Sequence, residues 1–278
     1  MLAKILHKIG RLLINAVLLL FSFSCIFPII WIAYSSLKTQ AQFSLDSLGL
    51  PTQPTLANFK SIFTSTNMLV YMRNSFFTAV LSVGLIVFFA FILGYVFARL
   101  HFPGKNVLYV FIMIGMLLPV HALLVPIYIQ MRDINALGKP YTLVIPYVAM
   151  GLPLAMVLAE SFIKEIPTSF EEAACLDGAG FFRTMFEIIL PLAMPILATI
   201  TIISFFNCWN EFSFALVLTS EDSLRTIPVG LTMFKSAYTT DYPRLMAGIL
   251  ISLMPVIILY FTCSDRIIRG MMAGAIKG

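Results

Sequence analysis

The sequence predicts an all-α integral membrane protein with about six transmembrane helices. Of its 278 residues, 60% are hydrophobic and 11% are charged, and the mean hydropathy is +0.95. A soluble domain carries about 25% charged residues. A chain so poor in charge cannot cover a water-facing surface, so most of its exterior must face lipid.

The spans follow from the stretches that contain no Lys, Arg, Asp or Glu. Six such stretches reach 20 residues or more: Leu12–Leu37, Asn74–Ala98, Asn106–Met131, Pro140–Ala159, Ile188–Asn210 and Leu245–Ser264. A helix needs roughly 20 apolar residues to cross the hydrocarbon core. A single transmembrane domain, 1–278, is therefore predicted, with spans near 12–37, 74–98, 106–131, 140–159, 188–218 and 245–264. The fifth span is extended to residue 218 because its apolar sequence continues past Glu211.

The basic residues before the first stretch predict the orientation. Lys4, Lys8 and Arg11 place the N-terminus in the cytoplasm under the positive-inside rule, and six crossings return the tail, 265–278, to the same side. Counted over the whole chain, the basic residues support this orientation less strongly, with ten on the cytoplasmic side and eight on the outer side. The first stretch has 26 residues and no small-x-small cleavage site, so we interpret it as a retained helix and not as a signal peptide.

Several classes of protein are disfavoured by what the sequence lacks. The net charge of +5 is spread between apolar blocks without a basic run, so nucleic acid is not an expected partner. Cys25, Cys175, Cys208 and Cys263 are isolated and read as small hydrophobes. The sequence has no GxxxxGK[ST] loop, HExxH helix or Cys/His metal cluster, so neither an enzyme nor a cofactor is predicted and any ATP must be bound by another polypeptide.

The segment 160–187 holds eight of the 31 charges and predicts a short helix after Pro167. Two capping boxes could start this helix, namely Thr168 with Glu171 or Ser169 with Glu172. Gly178 is suited to end it in the left-handed conformation.

A second short helix is predicted from Phe181, with Pro191 and Pro195 marking the entry into the fifth span. The resulting helix–glycine–helix has an acidic start and an apolar underside. It could fit a groove on another protein, or it could be an ordinary interfacial connector.

The spacing within this segment resembles a known family. The pattern is Glu172-Ala173-Ala174, three residues, Gly178, nine residues, Ile188, one residue, and Leu190-Pro191. It resembles the EAA loop of permease subunits in ATP-binding-cassette (ABC) importers. Further positions fit the version in the carbohydrate-uptake branch: Asp177, Ala179, Phe186 and Pro195.

The resemblance covers nearly the whole chain. Five other segments look like the six-helix permease of maltose-type systems: Ser36-Leu37-Lys38, Asn74-Ser75, Ala98-Arg99-x-x-Phe102-Pro103-Gly104, Trp209-Asn210-Glu211 and Gly270-x-x-x-Gly274-Ala275-x-Lys277-Gly278.

The resemblance implies partners and roles. The coupling loop, 160–190, would dock on an ABC ATPase dimer through Glu172, Ala173, Ala174, Asp177, Gly178, Ala179 and Pro191. The tail would contact the same ATPase through Gly274, Lys277 and Gly278. A second, non-identical permease and an extracytoplasmic solute-binding protein that delivers a sugar would complete the importer in a prokaryotic cell membrane.

One polar cluster within an apolar stretch is a candidate for handling substrate. Trp209, Asn210 and Glu211 supply an aromatic platform and hydrogen-bonding groups suited to a sugar, but they could equally be structural. A helix advances about 100° per residue, so we expect one or two of them to line a cavity and the rest to pack. His121, beside Pro119, is interpreted as a packed, hydrogen-bonded histidine and not as a proton relay.

Three alternatives remain from the sequence. The chain could carry another solute within the same superfamily, such as a polyol, a sugar phosphate or a peptide. A secondary transporter or channel is disfavoured because Glu211 is the single carboxylate within a span. A membrane enzyme or receptor is disfavoured because no catalytic set or soluble domain is present.

Overall fold

The computed structural model describes the backbone of residues 2–235 and 240–275, and most side chains from residue 10 to residue 262. The chain divides into two compact units. The smaller unit contains 1–67 and 231–253, and the larger contains 68–230 and 254–278.

The smaller unit begins with a long apolar helix. Its elements are α1 (Leu2–Ser35), α2 (Gln40–Leu45) and α3 (Ala57–Ser65), together with the first part of the last helix of the chain, Tyr242–Ala275. From residue 11 to residue 30 every side chain of α1 is exposed, and most of them are apolar. A helix that is hydrophobic on all sides suits a lipid environment.

The loop that follows α1 is organised around a buried lysine. The Lys38 side chain is 1% exposed, and its Nζ donates to the Asp46 carbonyl at 2.9 Å and the Ser47 carbonyl at 3.4 Å. The same ammonium lies 5.4 Å from the ring centroid of Tyr34 and 5.9 Å from that of Phe43. Carbonyl oxygens and aromatic faces both stabilise a cation, so this lysine joins α1 to the loop after α2.

Further hydrogen bonds fix the same loop. The Asn58 amide donates to the carbonyls of Ser36 and Lys38 at 2.7 and 2.8 Å. The Asp46 carboxylate accepts the backbone N–H groups of Gly49 and Leu48 at 2.8 and 3.1 Å. These two bonds, with Lys38 nearby, hold the pKa of Asp46 below its ordinary value.

The larger unit contains most of the helices. They are α4 (Met68–Arg99), α5 (Lys105–Ile114), α6 (Val120–Asp133), α7 (Val144–Glu165), α8 (Ser169–Leu176), α9 (Phe181–Arg183), α10 (Leu190–Asn210), α11 (Ser213–Leu218) and α12 (Ile227–Leu231). The second part of α13 (Tyr242–Ala275) also belongs to this unit.

Small residues bring α4 and α7 into close contact, and this is the most extensive helix pair in the unit. A Cβ atom added at Gly94 would lie 2.7 Å from the Ala159 Cβ and 2.9 Å from the backbone nitrogen of Glu160. One added at Gly151 would lie 2.6 Å from the Ile86 Cδ1. Small residues of this kind are what allow helix backbones to approach in membrane proteins.

Within the described residues, five helices are long and apolar enough to cross a membrane, and a bent pair would make six. The bent pair is the predicted third span. It consists of two helices, Lys105–Leu117 and Val120–Asp133, and the chain bends by 106° between them. Leu118 is extended because it precedes Pro119, so the break occurs at this proline. Other prolines are accommodated inside helices: Pro126, Pro153 and Pro255.

The fifth span also differs from the prediction in its extent. Helix α9 continues through a wide, π-helical turn, Thr184–Ile189, into α10, so 181–210 forms one helical stretch of 30 residues. No separate second helix precedes Pro191. At the other end α10 stops at Asn210, whereas the prediction had continued the span to residue 218.

Replacing Gly94 with alanine tests the close contact. The added methyl group would press on α7 and separate the helices, and overpacking of this kind destabilises by about 1–3 kcal/mol. We expect the Gly94→Ala protein in detergent to lose its monodisperse size-exclusion peak at a lower temperature than the parent. The matched control is Gly84→Ala on the same helix, where a Cβ meets nothing within 4 Å. Equal midpoints for the two variants would contradict the packing argument.

Candidate functional site

Helix α8 forms the centre of the predicted coupling segment, and glycine ends it. Gly178 has φ +79°, and its amide and that of Ala179 donate to the carbonyls of Cys175 and Ala174 at 3.0 and 2.9 Å. A Cβ at Gly178 would meet nothing within 4 Å. Glycine is therefore favoured here by its backbone conformation, as predicted, and not by a lack of space for a side chain.

The helix starts without either predicted capping box. Thr168 already has helical dihedral angles, φ −64° and ψ −19°, and its side chain makes no capping bond. An N-cap side chain reaches the free amides from an extended residue, so neither Thr168 nor the following Ser169 is placed to cap. The Thr168 hydroxyl instead donates to Glu172 Oε1 at 3.1 Å.

The segment presents a mixed surface to solvent. Ala174 is buried and Ala179 is half-buried, whereas the other predicted coupling residues are exposed: Glu172, Ala173, Asp177, Gly178 and Pro191. Leu176 is 90% exposed at the end of the helix. An exposed large apolar side chain beside two acidic ones is a combination that suits contact with another protein.

Glu171, next to Glu172, faces the body of the unit. Its Oε2 lies 3.0 Å from Nε of Arg99, and the two side chains are only 18% and 11% exposed. The second guanidinium branch of Arg99 donates to the Ile166 carbonyl at 2.5 Å. One arginine at the end of α4 therefore contacts both α8 and the residue that follows α7. The sequence placed Arg99 within a family-like motif but did not predict this contact.

The polar cluster at the end of α10 separates into different environments. Trp209 is 3% exposed, and its ring stacks on Phe205 with centroids 5.4 Å apart and an interplanar angle of 19°. Asn210 is exposed, and its amide donates to the Phe206 carbonyl at 3.0 Å.

Glu211 satisfies three hydrogen-bond donors within the protein. Its carboxylate accepts the backbone N–H groups of Phe214 and Ala215, at 2.8 and 3.1 Å, and the hydroxyl of Tyr147 at 2.8 Å. The first amides of a helix have no partner within the helix. Glu211 therefore supplies acceptors for α11 and ties α10, α11 and α7 together.

A cavity of about 530 Å³ opens beside this cluster. Its polar lining consists of His121, Tyr147, Ser204, Asn207, Asn210, Glu211 and Ser213. Asn210 and Glu211 line it and Trp209 does not, which matches the expectation that one or two of the three would do so.

The interpretation of His121 as a packed, hydrogen-bonded residue is wrong. Its side chain is exposed at the cavity wall, and the ring makes no hydrogen bond to any residue that the structure describes. His121 lies in the first turn of α6, just after the break at Pro119. The break turns this residue out of the helix packing and into the cavity.

The predicted tail contact lies largely outside the described residues. Gly274 is in the last turn of α13, and Lys277 and Gly278 lie outside the described residues.

Comparison with known proteins identifies the family. The family model of the binding-protein-dependent transport system inner membrane component matches residues 86–272. The chain is 40% identical over 252 residues to a putative ABC transporter permease protein ORF2 of Caldicellulosiruptor sp. (strain Rt8B.4), which covers 90% of this chain and 91% of that protein. It is 30% identical over 270 residues to the trehalose/maltose transport system permease protein MalG of Thermococcus litoralis, with 96% of each chain covered.

A solved structure agrees with these relatives. The crystal structure of a bacterial ABC transporter involved in the import of the acidic polysaccharide alginate contains a similar chain, with a TM-score of 0.77 and 25% identity. The match covers 91% of this chain and 95% of that one. The chain therefore belongs to the family of binding-protein-dependent transport system inner membrane components, and it is a multi-pass permease subunit of an ABC importer.

Proposed function

We propose that this chain provides one half of the translocation pathway of a carbohydrate importer in a prokaryotic cell membrane. A separate ABC ATPase dimer supplies the energy by ATP hydrolysis and docks on α8. A second, non-identical permease completes the pathway, and an extracytoplasmic solute-binding protein delivers the sugar. Both termini and the coupling loop face the cytoplasm, and the tail with Gly274, Lys277 and Gly278 reaches the ATPase.

The observation that carries this proposal is the two-sided arrangement of α8. Glu172, Asp177 and Leu176 are exposed on the helix, while Ala174 is buried and Glu171 is paired with Arg99. The helix is thus fixed to the permease on one side and available on the other. A partner that pushed on the exposed side of α8 would therefore transmit the displacement to the part of the permease that α8 contacts.

The cavity chemistry supports a sugar as the substrate. Sugars present many hydroxyl groups and need hydrogen-bonding side chains, and the cavity of about 530 Å³ offers amides, hydroxyls, a carboxylate and an imidazole. A larger cavity of about 860 Å³ is lined by apolar residues apart from Thr201 and Thr262, so it suits hydrocarbon better. The names of the trehalose/maltose and alginate relatives agree with carbohydrate as the solute class.

Substitutions in α8 test the docking proposal. Glu172→Lys reverses a charge that we assign to the ATPase contact, and Gly178→Val places a branched side chain at φ +79°. We expect each variant to reach the membrane in the parent amount but to lose co-purification of the ATPase. Loss of a charged hydrogen bond, about 1.5–3 kcal/mol, predicts that sugar uptake falls at least about tenfold.

Asp133→Lys provides the matched control for the charge reversal. Asp133 is exposed at the end of α6 and lies outside the coupling loop 160–190. Its substitution should leave ATPase binding and uptake near the parent values. Parent levels of both in the Glu172→Lys and Gly178→Val variants would refute docking through α8.

Asn210→Ala tests the cavity as part of the pathway. Among the residues that the structure describes, the Asn210 side chain bonds only to a carbonyl of its own helix, so its removal should leave the amount of protein unchanged. We expect the apparent KM for the transported sugar to rise several-fold, measured as uptake of labelled trehalose, maltose and related oligosaccharides. Asn106→Ala, an exposed asparagine of α5 away from this cavity, is the control. If uptake simply follows protein level in both variants, the cluster is structural.

A further inference from the structure

We propose that Arg99 is the positioning residue that links the coupling helix to the α4–α7 pair, so that a displacement of α8 is passed to both helices. The inference rests on the proposed docking of the ATPase on α8. It assigns a role to a residue outside the coupling loop, and to Glu171 in place of the capping role that the sequence suggested.

Three elements converge on the guanidinium. Arg99 is the last residue of α4, Ile166 follows the last residue of α7, and Glu171 lies in the first turn of α8. Nε lies 3.0 Å from the Glu171 carboxylate, and Nη2 donates to the Ile166 carbonyl at 2.5 Å. The Tyr95 hydroxyl, also on α4, interacts with the same carboxylate.

The chemistry of this position requires arginine. A guanidinium has donors on several nitrogens in a fixed plane, so one side chain can hold two elements at once, whereas lysine carries a single point charge. The carbonyl at the end of a helix has no partner within that helix, which makes Ile166 a natural acceptor. Because the ion pair is largely shielded from water, removing one partner leaves the other charge uncompensated.

Adjacent glutamates divide the contacts of α8. Successive residues of a helix point about 100° apart, so Glu171 faces α4 while Glu172 is exposed. The outward residue meets the partner, and the inward residue fixes the helix to the membrane domain. Neutralising each should therefore give a different defect.

The attachment of α8 does not depend on Arg99 alone. Ala174 is buried, and α8 packs on the π-helical turn Thr184–Ile189 that leads into α10. Without Arg99 the helix keeps this second attachment and its outward surface. It loses the direct connection to α4 and α7, which is the condition for ATP hydrolysis without transport.

The test uses the complete importer in proteoliposomes with its ATPase, second permease and solute-binding protein. Arg99→Gln and Glu171→Gln should retain ATPase co-purification and ATP hydrolysis. The ratio of sugar imported to ATP hydrolysed should fall about fivefold or more, the range typical of coupling between two sites. Arg99→Lys should restore part of this ratio, and the Arg99→Gln, Glu171→Gln double variant should be no worse than Arg99→Gln alone, because both changes remove the same interaction.

The Arg132–Asp133 ion pair supplies the control, because it lies outside the coupling loop 160–190. It is also an arginine–carboxylate contact, at 2.9 Å, but its side chains are 60% and 57% exposed. Arg132→Gln should therefore leave the ratio at the parent value, as expected of a surface pair.

The outcomes separate this inference from the docking proposal. A parent ratio in both Arg99→Gln and Glu171→Gln would overturn the positioning role while leaving docking intact. Retention of the ATPase and of uptake in Glu172→Lys would instead overturn docking itself. If Arg99→Gln fails to assemble, Glu171→Gln decides by the same ratio, because it preserves the Arg99–Ile166 hydrogen bond.

Discussion

The close approach of α4 and α7 determines where the other elements of the larger unit can lie. Gly94 allows the approach, since a Cβ atom there would press on the backbone of α7, and Gly151 leaves room for the side chain of Ile86. Lipid gives helices no hydrophobic reason to associate, so such packing is what holds them together. Each end of the pair then contacts a neighbouring element. At one end Arg99 bonds to the Ile166 carbonyl and contacts Glu171 of α8. At the other end the Tyr147 hydroxyl donates to Glu211.

The coupling segment and the polar cavity therefore lie towards opposite ends of one helix. From Tyr147 to Ile166 is 19 residues, or about 28 Å at 1.5 Å per residue. Each end of α7 makes a polar contact to a neighbouring element, through a hydroxyl at Tyr147 and a carbonyl at Ile166. A rigid helix with a hydrogen bond at each end can carry a displacement between the two sites without unfolding, as the proposed docking of an ATPase on α8 requires.

Composition was enough to predict where five long apolar helices lie, although not the bend in the third predicted span or the end of the fifth. One glycine was enough to predict the end of α8, because a left-handed residue leaves a local signal. Contacts made across the fold left none. Glu171 fits a local capping box in the sequence. In the structure it pairs instead with Arg99, which is distant in sequence and offers a charged partner where a capping box offers only neutral groups. Glu211 lines the cavity, but the sequence did not predict that its carboxylate also accepts hydrogen bonds from Tyr147 and from the amides after α10. His121 was predicted to be packed but lies at the cavity wall, because the helix bends at Pro119 just before it.

The π-helical turn Thr184–Ile189 has a consequence for evolution of the chain. A π-turn closes over five residues where an α-turn closes over four, so it absorbs one residue without rotating the helix on either side. Loss of one residue there would leave an ordinary α-helix with both faces retained, whereas loss of one residue within α10 would turn everything beyond it by about 100°. The geometry therefore predicts that loss of one residue is tolerated better at this turn than along the wall of the cavity.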